Sequence, residues 1–162
     1  MHKLFPLYTE RLYNFSVDEF RCKDNLFGRS GSEFCNRGLP VTGINPLLVE
    51  GLQFLREYFG VPATITSPYR CLAYNRSIGS GDGSQHPKGT AADITLKGIR
   101  CEEVMKIAEQ HQLFTGRGLY PDDNFCHFDV RNGLLASPKT PIARWVKKDG
   151  KYIDVVNFDD YL

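Results

Sequence analysis

Two short stretches constrain most strongly what this chain can fold into: "AADITL", residues 91–96, and "FCHFDVR", residues 125–131. In an extended chain successive side chains alternate between two faces. In the second stretch Cys126, Phe128 and Val130 share one face, and Phe125, His127, Asp129 and Arg131 the other. In the first, Ala92, Ile94 and Leu96 oppose Asp93 and Thr95. Each strand is therefore apolar on one side. A sheet containing both must be covered on that side, and its other face can carry a polar row. If the two strands are neighbours, Asp93 and His127 meet on the polar face.

The cover is legible too. "NPLLVEGLQFLREYFG" reads as a helix capped by Asn45, with Pro46 in its first turn and Gly60 after its end. Leu48, Leu52, Leu55 and Phe59 recur at helical spacing, and the segment reads as a core helix. "CEEVMKIAEQHQLF" is a second amphipathic helix, and "CLAYNRSI" reads as a short one. "NFSVDEF" carries a capping box, Ser16 with Glu19, and starts another short helix. "PATITS" and "RGLYP" read as further strands, the latter joined to "FCHFDVR" through the turn "PDDN". "RWVKKDGKYIDVV" reads as a hairpin around Asp149-Gly150. "LFGRSGSEFCNRGLPVTG" is a long loop. The expectation is α+β: a small antiparallel sheet with helices packed on one face. At 162 residues one domain is expected over 1–162, with its core at about 15–131 and a C-terminal hairpin at 143–157.

The loop before the first strand, "GSQHPKG", needs Gly83 and Gly89 to turn, but turning alone does not need His86. The chain has four histidines. His2 is terminal, and His111 lies on a predicted helix as a packed or solvated side chain. His86 and His127 remain, and with Asp93 they make two imidazoles and a carboxylate. That set suits zinc with a fourth position open. An open site of this kind serves hydrolysis, because the metal lowers the pKa of water to about 7 and polarises a carbonyl. Arg70, in "TSPYR" after a predicted strand, can supply a cation for a substrate carboxylate or a developing oxyanion, or be a surface charge. Ser84 and Gln85 beside His86 can orient it, bind substrate, or simply fill the loop.

Composition excludes several alternatives. Twenty basic and nineteen acidic residues, a net +1, leave no electrostatic footprint for nucleic acid or an anionic membrane. No segment approaches the ~20 apolar residues needed to span a bilayer. The N-terminal stretch lacks the apolar region and cleavage site of a signal peptide. Five cysteines without a CxxC pair read as free thiols, with a Cys22–Cys35 bridge as the other option.

Taken together, "ITSPYRCLAYNRSIGSGDGSQHPKGTAADI" and "GRGLYPDDNFCHFDVR" resemble the M15 metallopeptidases, the group related to zinc D-Ala-D-Ala carboxypeptidases. The shared pattern comprises Ser67, Tyr69, Arg70, Asn75, Ser84, His86, Gly89, Ala91 and Asp93, then Phe125, His127 and Asp129. The resemblance covers about Phe15 to Arg131. It implies a hedgehog-like fold with zinc held by His86, Asp93 and His127. It further implies cleavage of peptidoglycan stem peptides or cross-links, as an endolysin or a carboxypeptidase. Arg70 would stabilise the oxyanion or grip a substrate carboxylate, and Ser84 and Tyr69 would bind substrate. Pro68 replaces the usual glycine of the motif. Several members carry an acid three residues before the last histidine, where this chain has Asn124. The general base then falls to Asp129 or Asp123, with Asp129 preferred for its strand face or acting instead as the partner orienting a ligand.

The function expected is zinc-dependent hydrolysis of peptidoglycan peptides by a monomer made in the cytoplasm. It would reach the wall on release, as in phage or prophage lysis. Two alternatives stand beside it. One is a wall-binding or phage structural module that keeps the zinc site without turnover. The other is an intracellular peptidase acting on wall-derived peptides.

Overall fold

In the computed structural model, which describes residues 14–24, 35–131 and 140–162, one six-stranded sheet organises the chain. His2 and residues 26–34 of the long loop lie outside the described residues. The strands are β1 (Ala63–Ser67), β2 (Ala91–Leu96), β3 (Gly116–Tyr120), β4 (Phe125–Asp129), β5 (Ala143–Lys148) and β6 (Lys151–Asp154). Their order across the sheet is β1-β2-β4-β3-β5-β6. All neighbours are antiparallel except β3 and β5, a parallel pair that the expected all-antiparallel sheet did not include. The fold class is α+β, as expected.

Helix α1 (Pro46–Phe59) forms as its sequence dictates. The Asn45 side chain accepts from the Leu47 N–H at 2.9 Å, and Gly60 ends the helix with φ 63°. Helix α2 (Leu72–Ser77) follows β1, and α3 (Cys101–Gln110) follows β2. Residues 17–20 form a 3-10 turn in which the Glu19 carboxylate accepts from the Ser16 N–H. Leu48, Leu52 and Leu55 of α1 and Val104, Met105 and Ala108 of α3 are buried with Ile94, Cys126 and Phe128 of the sheet in one core. Burying such side chains contributes about 1.5–3 kcal/mol each before the entropy of ordering is set against it. His111 ends α3 exposed, its ring 4.7 Å from that of Phe54. Among the described residues no helix is long and apolar enough to cross a membrane.

The opposite face of the sheet is polar, and the strand registers place its groups. Asp93 pairs with His127 across β2 and β4, as the alternation required. On the other side of β4, Gly116 faces Asp129 and Gly118 faces His127. These glycines hold space open. A Cβ on Gly116 would lie 2.0 Å from the Asp129 carboxylate, and one on Gly118 would lie 2.4 Å from the Trp145 indole. Both are impossible contacts, so the polar face depends on two absent methyl groups.

One charge cluster sits beneath the sheet on the helical side. Arg117 of β3 is fully buried, and its guanidinium meets Glu109 of α3, which also takes a two-pronged contact from Arg144 of β5. Burial opposes the charge on Glu109, but Arg144 and Arg117 prevail and hold its pKa below the ordinary glutamate value. Glu109 thus ties α3 to two strands and neutralises a buried cation.

Two outcomes follow from this packing. Glu109→Gln leaves Arg117 buried without its counter-charge and is expected to cost about 3 kcal/mol in chemical denaturation. Because the folded-state pKa is depressed, the stabilisation is complete above the unfolded glutamate pKa of about 4.3 and fades as pH falls through that range. The gap between wild type and variant should therefore narrow from neutral pH to about pH 3. Gly116→Ala should lower stability by roughly 1–3 kcal/mol through overpacking against Asp129, read as a shift in denaturation midpoint.

Candidate metal centre and groove

Three elements deliver three side chains to the floor of a groove of about 610 Å³. Asp93 comes from β2, His127 from β4, and His86 from a single 3-10 turn (His86–Lys88) in the loop before β2. That turn closes at Gly89, whose φ is 69°. The Thr90 hydroxyl and N–H both reach the Gln85 carbonyl, which fixes the loop against the strand. His86 is 2% exposed, and Asp93 and His127 are each 7% exposed.

The atoms that converge are His86 Nε2, His127 Nδ1 and Asp93 Oδ1. The two ring nitrogens lie 3.2 Å apart, and Asp93 Oδ1 lies 2.8 Å from His127 Nδ1 and 3.3 Å from His86 Nε2. The outer ring nitrogens set the tautomers. His86 Nδ1 donates to the Pro68 carbonyl at 2.7 Å, and His127 Nε2 faces Asp129 Oδ2 at 3.2 Å. With those nitrogens protonated, the inner nitrogens present lone pairs. Without a metal, a proton on His127 Nδ1 bridges it to Asp93 Oδ1; with that proton gone, two lone pairs and a carboxylate oxygen face one another. That deprotonated arrangement is repulsive unless a cation lies at its centre, so the donor set fits a divalent metal, which would take the proton's place.

Each carboxylate touching His127 has its own arginine. Asp93 Oδ2 accepts from Arg70 Nη2 at 2.9 Å, and Arg70 Nε donates to the Ser67 hydroxyl at 2.8 Å. Asp129 is fully buried and takes two bonds from the Arg131 guanidinium, at 2.9 and 2.7 Å. Burial works against both carboxylate charges, but hydrogen bonds win. His127 and His86 hold Asp93 well below its usual range, and Arg131 and His127 bring Asp129 down to about 2. Burial likewise opposes a charged His127, yet Asp129 and Asp93 raise it to about 9. Burial dominates at His86 and lowers it.

Of the other residues singled out in the sequence, Arg70 and Ser84 line the groove, and among the described residues Arg70 is held through Nε and Nη2. Tyr69 is half-buried against the core instead. Asp123 is exposed in the turn between β3 and β4 and does not line the groove. Asn124 has φ 52°, and its side chain accepts from the Cys101 N–H at 2.9 Å, so position 124 serves the start of α3. Asn75 is buried and donates to the carbonyls of Ser80 and Gly81, shaping the rim.

One wall of the groove was missed from sequence. The β5–β6 hairpin contributes Trp145, Lys147, Tyr152 and Asp154, which face the groove as two cross-strand pairs. The Trp145 ring lies 5.0 Å from that of His127, its indole N–H donates to the Tyr120 hydroxyl, and Arg131 sits 5.7 Å over it. The period-two pattern of "RWVKKDGKYID" holds the signal for which side chains share a face. It gives no register for the parallel pairing of β5 with β3, which alone brings that face to His127.

The family model described as Peptidase M15 matches residues 13–129. The peptidoglycan L,D-endopeptidase MepK of Escherichia coli (strain K12) is 33% identical over 101 residues, covering 58% of this chain and 55% of that protein. The proteins of the same name from Escherichia coli O157:H7 and Shigella flexneri match equally. The chain thus spans about half the length of the curated relatives it matches. With most of its length matched by the family model, and with the paired histidines and aspartate at the floor of its groove, the chain belongs to the M15 peptidase family.

Proposed function

We propose that this chain is a zinc-dependent peptidase that hydrolyses peptide bonds in peptidoglycan stem peptides or their cross-links, as an endopeptidase. The observation that carries the reading is the convergence of His86 Nε2, Asp93 Oδ1 and His127 Nδ1 at the floor of an open groove. Family membership and the printed activity of the MepK relatives support the wall substrate and the endopeptidase type.

His86, Asp93 and His127 would hold the zinc. When bound there, zinc polarises a scissile carbonyl and lowers the pKa of water. The remaining residues bind, orient and move protons. Arg70 fixes Asp93 through Nη2 and offers Nη1 to the carbonyl oxygen as negative charge develops on it. Asp129 is a positioning residue: clamped by Arg131, it keeps the proton on His127 Nε2. A carboxylate so committed is a poor proton acceptor. Among the acids lining the groove, Asp154 on β6 stands outside the metal cluster and outside the Arg131 pair. It takes the proton-transfer role that Asp129 and Asp123 were first candidates for. Trp145, Tyr120 and Tyr152 give the peptide an aromatic wall, and Ser84 lies on the opposite rim.

The competing reading, a module that keeps the metal without turnover, rests on Asn124. In the fold that residue caps α3, so the lack of an acid there does not empty the groove of carboxylates.

The test is mass spectrometry of muropeptides after digestion of purified sacculi and of soluble fragments with zinc-loaded protein. New stem-peptide products are expected, abolished by a chelator and by His127→Ala. A folded, metallated sample that yields none from either substrate defeats the peptidase reading and favours the inactive module. Products from soluble fragments alone favour the recycling role. Asp129→Asn should weaken zinc binding about 10–100-fold. Asp154→Asn should lower kcat by roughly 10²–10⁴-fold with zinc affinity unchanged; an unchanged kcat removes Asp154 from the mechanism.

A further inference from the structure

Away from the groove, a second set of ligand-bearing side chains converges. Cys22, Asp24, Cys35 and Cys71 each offer one atom, and the four atoms lie within 4.8 Å of one another. Cys22, Asp24 and Cys71 are buried, and Cys35 is half-buried. These residues come from three separate segments: the end of the N-terminal turn, the loop at 35–38, and the residue that caps α2.

We propose that these four side chains form a structural zinc site, distinct from the groove. The spacings are those of a tetrahedron's edges. With Zn–S near 2.3 Å and Zn–O near 2.0 Å, tetrahedral ligands lie about 3.8 Å apart for two sulfurs and about 3.5 Å apart for sulfur and oxygen. Here Cys22 Sγ and Cys71 Sγ are 4.0 Å apart, and Asp24 Oδ2 lies 3.4 Å from Cys35 Sγ and 3.8 Å from Cys71 Sγ.

The surrounding backbone is built to hold this arrangement. Asn36 and Arg37 both adopt left-handed conformations, φ 47° and 61°, unusual for residues other than glycine. The turn they make directs their N–H groups to Asp24, at 3.0 and 2.6 Å. The Cys71 N–H points at Cys22 Sγ at 3.4 Å, the kind of outer contact that orients a thiolate ligand. Two other readings fit less well. A disulfide needs sulfurs about 2.05 Å apart and would leave the third thiol and a buried carboxylate unexplained. A reactive thiol needs access to solvent, whereas Cys22 and Cys71 are buried.

The site would act on the groove through the chain. Cys71 directly follows Arg70, and Pro68, whose carbonyl fixes His86, is three residues before it. An ion there would clamp the N-terminal turn to the segment that positions both.

The experiment is metal counting and cobalt substitution on the full chain purified under reducing conditions. Wild type is expected to carry two zinc equivalents. His127→Ala should retain one, and Cys71→Ser should lose one and melt at lower temperature. Cobalt-loaded wild type and His127→Ala should both show a thiolate-to-cobalt charge-transfer band in the near ultraviolet, which the groove site, having no sulfur, cannot give. Absence of that band from wild type overturns the proposal, as does a disulfide among these cysteines in the purified protein. If Cys71→Ser does not fold, the spectrum of His127→Ala decides alone. A band that persists while His127→Ala binds as much metal as wild type would defeat the groove assignment and leave this site standing.

Discussion

The register of β2 against β4 is the constraint on which the rest of the structure depends. It sets Asp93 directly opposite His127, and the same pairing sends Ala92, Ile94, Cys126 and Phe128 into the core. In a sheet of period two, a slip of one residue would turn every one of these side chains to the other face. Hydrophobic burial and the assembly of the polar centre are therefore a single event. The core constrains the site's geometry because a one-residue slip would bury the polar row and expose the apolar one.

Around that pairing, buried charge is balanced locally. His127 lies between Asp93 and Asp129, and these carboxylates are met by Arg70 and Arg131 respectively. An isolated buried charge costs several kcal/mol, so each of these groups depends on its neighbour for stability as well as for orientation. The Pro68 carbonyl fixes the tautomer of His86, and Asp129 holds the proton on His127 Nε2. Metal affinity in such a centre is set as much by Pro68, Asp129 and Arg131 as by the three residues that would touch the ion. Pro68 serves the centre through its carbonyl, a role that does not depend on its side chain.

Much of this was legible in the sequence, for physical reasons that differ by residue. Helix α1 was readable because its signals are local: a side-chain cap, a proline in the first turn and a glycine at the end. The polar faces of β2 and β4 were readable because alternation survives without knowledge of partners. Arg70 could be noticed but not placed, since its contact with Asp93 spans twenty-three positions along the chain. The preference for Asp129 as a base rested on strand face alone; alternation cannot show that Arg131 would occupy it. Trp145 and the hairpin wall escaped because a parallel β3–β5 pairing leaves no local trace. The scattered cysteines read as unrelated thiols for the same reason: Cys22 and Cys71 are forty-nine residues apart in sequence and 4.0 Å apart in space.

The hairpin that forms the aromatic wall lies at the margin of the sheet. β6 is an exposed edge strand, and β5 anchors the hairpin through Val146 in the core, Arg144 on Glu109 and Trp145 on the groove side. The floor and the aromatic wall of the groove thus come from separate pieces of chain. The candidate metal-ligand floor is tied to the hydrophobic interior, while the aromatic wall stands on two strands at the sheet's margin. Substitutions on the exposed strand β6 would therefore reshape the groove wall while leaving the β2–β4 register untouched.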